Sequence, residues 1–257
     1  MNCIIERVYK SRNSIKDIYK DYEWDTSDIP DLLPIDLESI FNVYNSSNTI
    51  LQSFGDGLAF TIRIPHKYII DHNLVVIYYN LSNSNEKISK TTRSIADRAK
   101  QLYESKYINN DDSLLILVND IQSEGLHKIN KMISHEILTD YIIDSKYNKY
   151  IYNENIENKD ELQRYNKNIF RQCVLLSLDM FQVNLLKHDL VPKHEIIYEK
   201  KDIQSLCKKY NVTEQQMPII NKFDIIAKLI RLCIGDVCKI TRYCETSGES
   251  LYYRICR

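Results

Sequence analysis

Three short apolar runs constrain this chain more than any other feature: Ala59 to Ile64, Leu74 to Tyr79 and Leu114 to Val118. Each is the length of one strand and carries few charges. The segments around them read as helices. Ile4, Ile5, Val8, Ile15, Ile18, Tyr19 and Tyr22 recur at roughly helical spacing, and Asp31 to Pro34 is expected to break that helix. Leu37, Ile40, Phe41 and Tyr44 suggest a second short helix, Ile88 to Tyr103 a third, and Leu126, Ile129, Met132 and Ile133 a fourth. Strands alternating with helices imply an α/β domain over about the first 140 to 180 residues.

From Asp144 to Asn168 the composition turns to Asn, Lys, Tyr and Glu, which predicts a polar insertion near a domain boundary. Beyond it the signals sharpen. Asp202 can start a helix with Ile203, Leu206, Cys207 and Tyr210 inward, and Thr213-x-x-Gln216 has capping-box spacing. Asp224 precedes a one-sided helix on Ile225, Ile226, Leu229 and Ile230. Gly235-Asp236 then turns the chain into a strand from Val237 to Cys244. A five-residue loop, Glu245 to Glu249, returns it along Leu251 to Cys256 as a β-hairpin.

Charge and cysteine content exclude several classes. The net charge of −1 over 257 residues is not that of a strong free binder of nucleic acid. From His188 onward 12 Lys and Arg face 9 Asp and Glu, a mild tilt that identifies no partner. Neither a secretory signal nor a membrane-length apolar run is present in the sequence, so no membrane partner is expected. The seven cysteines then read as reduced thiols.

Three blocks carry an identification: Leu190-Val191-Pro192-Lys193-His194, Glu245-Thr246-Ser247-Gly248 and Tyr253-Arg254-Ile255-Cys256. Gln216-Met217-Pro218, Asp224, Ala227, Gly235 and Lys239-Ile240 fall between them in register. Together they resemble the fifth-largest subunit shared by eukaryotic RNA polymerases I, II and III, and its archaeal RNA polymerase counterpart. The resemblance is dense from Val183 to the terminus. It is looser upstream, at Arg12 to Tyr22 and Leu115 to Ile121.

The resemblance implies an N-terminal α/β jaw domain, residues 1–182, with nuclease-like topology and no nuclease chemistry. It implies a small α+β assembly domain, residues 183–257, ending in the hairpin. The implied role is that of a non-catalytic transcription subunit without cofactors. It would dock on the largest polymerase subunit, touch other subunits, and lie beside downstream duplex DNA. Leu190, Val191, Pro192, Lys193, His194, Glu245, Thr246, Ser247, Gly248, Tyr253 and Arg254 are the expected partner contacts. Gln122, Ser123 and Lys128 are the expected DNA-proximal residues, although Glu124 in the same loop is adverse to phosphate. Two further departures stand out: the family's Asp-Pro helix start is Asp224-Ile225, and a family glycine is Arg231. With the skewed composition and the insertion, they point to a divergent version of the kind a large DNA virus carries. The expected location is the nucleus, or a cytoplasmic viral factory and the virion.

Other chemistry fares worse. Cys233, Cys238, Cys244 and Cys256 lack a C-x-x-C knuckle, and Cys238 and Cys244 would stand ~20 Å apart along a straight strand. Buried free thiols fit them better than zinc. Glu104-Ser105-Lys106 and Asp144-Ser145-Lys146 have the acid-x-Lys spacing of a metal-dependent nuclease, but the first ends a helix instead of lying in a central strand. A stand-alone DNA-binding accessory protein is the remaining alternative, disfavoured by the near-neutral charge.

Overall fold

The computed structural model describes residues 3–44, 60–67, 72–79, 81, 92–110, 112–119, 125–133, 172–197, 200–244, 246 and 248–257. The described residues up to Asn184 form one compact unit, and those from Leu185 to Arg257 form a second.

The first unit is built on a four-stranded sheet: β1 (Ile62–Pro65), β2 (Asn73–Tyr79), β3 (Ser113–Val118) and β4 (Cys173–Ser177), in that spatial order. β1 is antiparallel to β2, while β2, β3 and β4 are parallel. Parallel neighbours need a crossover, and the chain supplies α3 (Thr92–Glu104) between β2 and β3 and the helix α4, residues 125–133, between β3 and β4. Val75, Ile77, Tyr79, Leu114, Ile116, Val118, Cys173 and Leu175 form a core with Ile95, Ala99 and Leu102 of α3 and Leu126, Ile129 and Ile133 of α4. The opposite face meets α1 (Cys3–Lys20), whose Ser11 hydroxyl shares a 2.8 Å hydrogen bond with the Tyr78 hydroxyl. Burial on both faces is why β2 and β3 read as continuous apolar runs and not as alternating ones.

Two expectations need correction here. α1 ends at Lys20, well before Asp31 to Pro34, and the chain turns to form a bridge between Trp24 and His66. Pro34 breaks nothing: it is the first residue of α2 (Pro34–Tyr44), where its missing N–H costs no hydrogen bond. The first predicted strand is also shifted, since Phe60 precedes β1 and has 3₁₀-helical conformation. The polar insertion at 144–168 lies outside the described residues.

Among the described residues β4 ends the sheet, and α4 covers its outer edge. The buried Asn130 side chain donates to the Leu175 carbonyl at 2.7 Å and accepts from the Leu175 N–H at 2.7 Å. One side-chain amide thus takes the place of a neighbouring strand.

The second unit holds a second four-stranded sheet, β5 (Lys193–Ile197), β7 (Val237–Cys244), β8 (Gly248–Cys256) and β6 (Ile219–Ile220) in spatial order. β5 and β8 flank β7 antiparallel, and the two-residue β6 runs parallel to β8. α5 (Lys200–Tyr210) packs Ile203 against Val237, Ile255 and Met217. It starts two residues before Asp202, which sits in its first turn. Thr213 and Gln216 form the anticipated capping box, with the Thr213 N–H donating to Gln216 Oε1 at 2.9 Å.

Asn130→Ala is expected to leave both backbone groups of Leu175 buried without this partner. At about 1–3 kcal/mol for each unsatisfied group, the first unit should lose roughly 2–6 kcal/mol. Urea denaturation of the variant followed by circular dichroism checks this, and an unchanged midpoint would refute the closing role.

Candidate functional site

The residues marked by the sequence blocks gather in the second unit, on and around the β7–β8 hairpin. Leu190 is 86% exposed on the approach to β5, and Val191 and Pro192 follow it half-buried. Lys193 and His194 open β5 and pair with Thr241 and Ile240 of β7. The polar composition of β5 hid it from the sequence analysis.

The hairpin is tighter than predicted. Cys244 pairs with Gly248, so three residues connect the strands instead of five, and Gly248 opens β8. Its φ of +70° is the left-handed conformation that glycine adopts without penalty, as in the bulged three-residue hairpins. Thr246 is exposed within this connection, with its hydroxyl 3.2 Å from Cys244 Sγ. Glu245 and Ser247 lie outside the described residues.

Strand register sorts the side chains onto two faces. One face carries Lys193 and Glu195 of β5, Lys239 and Tyr243 of β7, and Leu251, Tyr253 and Ile255 of β8. Here Glu195 bridges Lys193 and Lys239, the latter at 3.0 Å. Hydrogen bonds from both lysines hold the Glu195 carboxyl below its usual pKa. Tyr253 meets Tyr210 of α5 with ring centroids 5.9 Å apart.

The other face carries His194, Cys238, Ile240, Arg242, Tyr252, Arg254 and Cys256. Arg242 lies over the Tyr252 ring, 5.0 Å from its centroid, and Arg254 Nη1 reaches the Ile219 carbonyl at 3.4 Å. Among the described residues neither guanidinium has a carboxylate within ion-pair distance. Burial pushes the His194 pKa down. The Pro192 carbonyl, 2.6 Å from Nδ1, and Asp224 oppose that shift, while Arg242 and Arg254 add to it. Tyr243, Leu251 and Tyr252 are left 81%, 47% and 47% exposed near the hairpin's end. Arg254 and Tyr253 are among the expected contacts; Tyr252 shares a strand face with Arg254, and Arg242 lies outside the sequence blocks.

Both departures from the family pattern have a local account. Asp224 caps the short helix α6 (Ile225–Leu229) without a following proline, its Oδ1 accepting from the Ile226 N–H at 2.9 Å. Arg231 sits at φ 59° just past Ile230, the residue that caps this helix. Arg231 N–H bonds to the Lys228 carbonyl and Leu232 N–H to the Ala227 carbonyl. These two bonds define the helix-ending motif that calls for a left-handed residue, which is why glycine suits the position.

All seven cysteines are free. Burial pushes Cys233 and Cys238 up to about 12 and Cys256 up to about 11, so these three stay protonated thiols at neutral pH. Among the described residues no three His, Cys, Asp or Glu side chains are grouped to hold a metal ion. In the first unit, Glu104 closes α3 and Lys106 follows at φ 57°, away from any strand. Lys128 is an exposed residue of α4. Gln122, Ser123, Glu124, His135 and Asp144 to Lys146 lie outside the described residues.

With this geometry in place, comparison with known proteins is decisive for the second unit. Residues 183–256 match the family model described as RNA polymerase Rpb5, C-terminal domain. The chain is 43% identical over 76 residues to DNA-directed RNA polymerase subunit Rpo5 of Methanosarcina barkeri, covering 30% of this chain and 96% of that protein. The same subunit of Archaeoglobus fulgidus is 44% identical over 71 residues, 28% of this chain and 92% of that one. The subunit rpabc1 of DNA-directed RNA polymerases I, II and III from Dictyostelium discoideum is 37% identical over 92 residues, 34% of this chain and 46% of its own length. The second unit is therefore the kind of module that multisubunit RNA polymerases carry. The chain belongs to the Rpb5 family of DNA-directed RNA polymerase subunits.

Gly248→Val is expected to lower stability by about 1 kcal/mol or more through backbone strain alone. No atom lies within 4 Å of where its Cβ would stand, so steric collision adds nothing. Thermal melts of the purified variant check this.

Proposed function

We propose that the chain serves transcription as a non-catalytic polymerase subunit whose C-terminal unit docks on the largest subunit. The observation that carries this is the match over residues 183–256 to relatives that consist almost entirely of that segment. A subunit of that length stands as a whole polypeptide in those relatives, so the segment suffices for the shared role. Leu190 to His194, the hairpin connection from Glu245 to Gly248, and Tyr253 with Arg254 are the proposed contact residues.

The first unit acts as the jaw beside downstream duplex DNA, with Gln122, Ser123 and Lys128 nearest the duplex. Support for this is the looser resemblance at Arg12 to Tyr22 and Leu115 to Ile121. The division of labour falls at residues 1–182 and 183–257. The place of work is where the template is transcribed, in a nucleus or, for a virus-borne copy, a viral factory and the virion.

Residues 183 to 257, expressed alone with a tag, are expected to recover the two largest polymerase subunits from extract, while residues 1 to 170 recover neither. The reverse pattern would overturn the assignment of docking to the C-terminal unit.

The competing reading, a free DNA-binding accessory protein, predicts tight binding by the isolated chain. The proposal predicts affinity for duplex DNA no better than the non-specific range, about 10⁻⁴ to 10⁻⁶ M at physiological salt. Mobility shift or fluorescence anisotropy decides, and a nanomolar constant would favour the accessory protein.

A further inference from the structure

The two faces of the second sheet handle charge in opposite ways. On the first, Glu195 lies between Lys193 and Lys239 and its ion pairs are satisfied within the sheet. On the second, Arg242 and Arg254 stand on adjacent strands with His194 on the third, and the carboxylate that bears on His194 is Asp224, which is committed to capping α6. Arg242 already lies over the ring of Tyr252, which is 47% exposed, and this contact favours one placement of its planar fork before any partner arrives. Holding the fork in advance lowers the entropy lost on binding a carboxylate through two parallel hydrogen bonds.

We infer that Arg242, Tyr252 and Arg254 form a recognition surface for an acidic polypeptide segment of a partner polymerase subunit, one carboxylate engaging Arg242 beside the tyrosine ring. This rests on the proposed subunit role and adds the chemistry of the partner and a residue, Arg242, that lies outside the blocks shared with the family. Charge complementarity commits the surface to an acidic occupant. A polypeptide suits it better than a nucleic acid, because two guanidiniums are few for a phosphate backbone. Tyr and Arg are also the side chains that anchor protein interfaces.

The test uses the full-length tagged chain expressed where the polymerase assembles, with the two largest subunits quantified after purification across a salt series. Arg242→Glu is expected to reduce their recovery about tenfold or more at physiological salt, and Arg242→Glu with Arg254→Glu further still. Arg242→Lys, which keeps the charge and loses the fork, should fall between. Lys208→Glu makes the same charge change on exposed α5 and should recover polymerase as the unaltered chain does. Thermal melts of each purified variant separate lost recognition from lost folding, and Arg242, being exposed, should melt unchanged when substituted.

The inference is overturned if Arg242→Glu recovers the polymerase fully, if it melts early, or if Lys208→Glu loses as much. Release of the polymerase from the unaltered chain by nuclease treatment would also overturn it, by assigning the surface to nucleic acid. Failure of the unaltered chain to recover any polymerase is a different result, since it removes the subunit role itself.

Discussion

The first unit depends on one constraint, the complete withdrawal of β2 and β3 from water. Leu74 to Tyr79 and Leu114 to Val118 are all 0% exposed, so both faces of the sheet must be covered. In a parallel sheet that cover comes from the crossover helices, and the chain places α3 and α4 on one face and α1 on the other. Polar groups drawn into this interior are answered locally. Asp112 accepts from the Asn73 backbone and side chain where β2 and β3 begin, although burial raises its pKa. At the other end of the sheet Arg7 links Asn119 to Asp179 and ties α1 to the ends of β3 and β4.

The fold was legible wherever burial leaves a composition signal. β2, β3, α1 and α3 announce themselves because a strand buried on both faces must be apolar throughout, and a helix buried on one must be so at helical spacing. β4 was missed because Cys173 to Ser177 is five residues long and follows a polar stretch that drowns its signal. β5 was missed for the opposite reason: Lys193, His194 and Glu195 are held by pairing with β7, and backbone pairing leaves no mark on side-chain type. The hairpin was found but its register was not. Gly248 was expected inside the five-residue loop, whereas it serves as the first paired residue of β8. Of the candidate site, the blocks shared with the family were readable in order and spacing. Exposed Arg242 became visible only when the register of β7 against β8 put it on the face of Tyr252 and Arg254.

Arg231 shows how a divergent sequence can depart from its family without departing from the fold. The helix end that Ala227, Lys228 and Leu232 form asks for a left-handed residue. An arginine accepts that conformation at a cost of about 1–2 kcal/mol, small enough for the surrounding burial of Leu229, Ile230 and Leu232 to offset. Asp224 is the complementary case, where the family's proline is gone and the cap persists because the carboxylate alone supplies it.

The amide of Asn130 carries a further implication. It fastens the chain before residue 134 to the chain after residue 171, through Leu175 on the far side of the intervening 38 residues. Among the described residues, the edge is sealed by the helix that precedes that stretch. Segments could therefore be added to or deleted from it over evolutionary time with the seal intact. A lineage can vary the length of chain there while the contact that joins its two ends is kept.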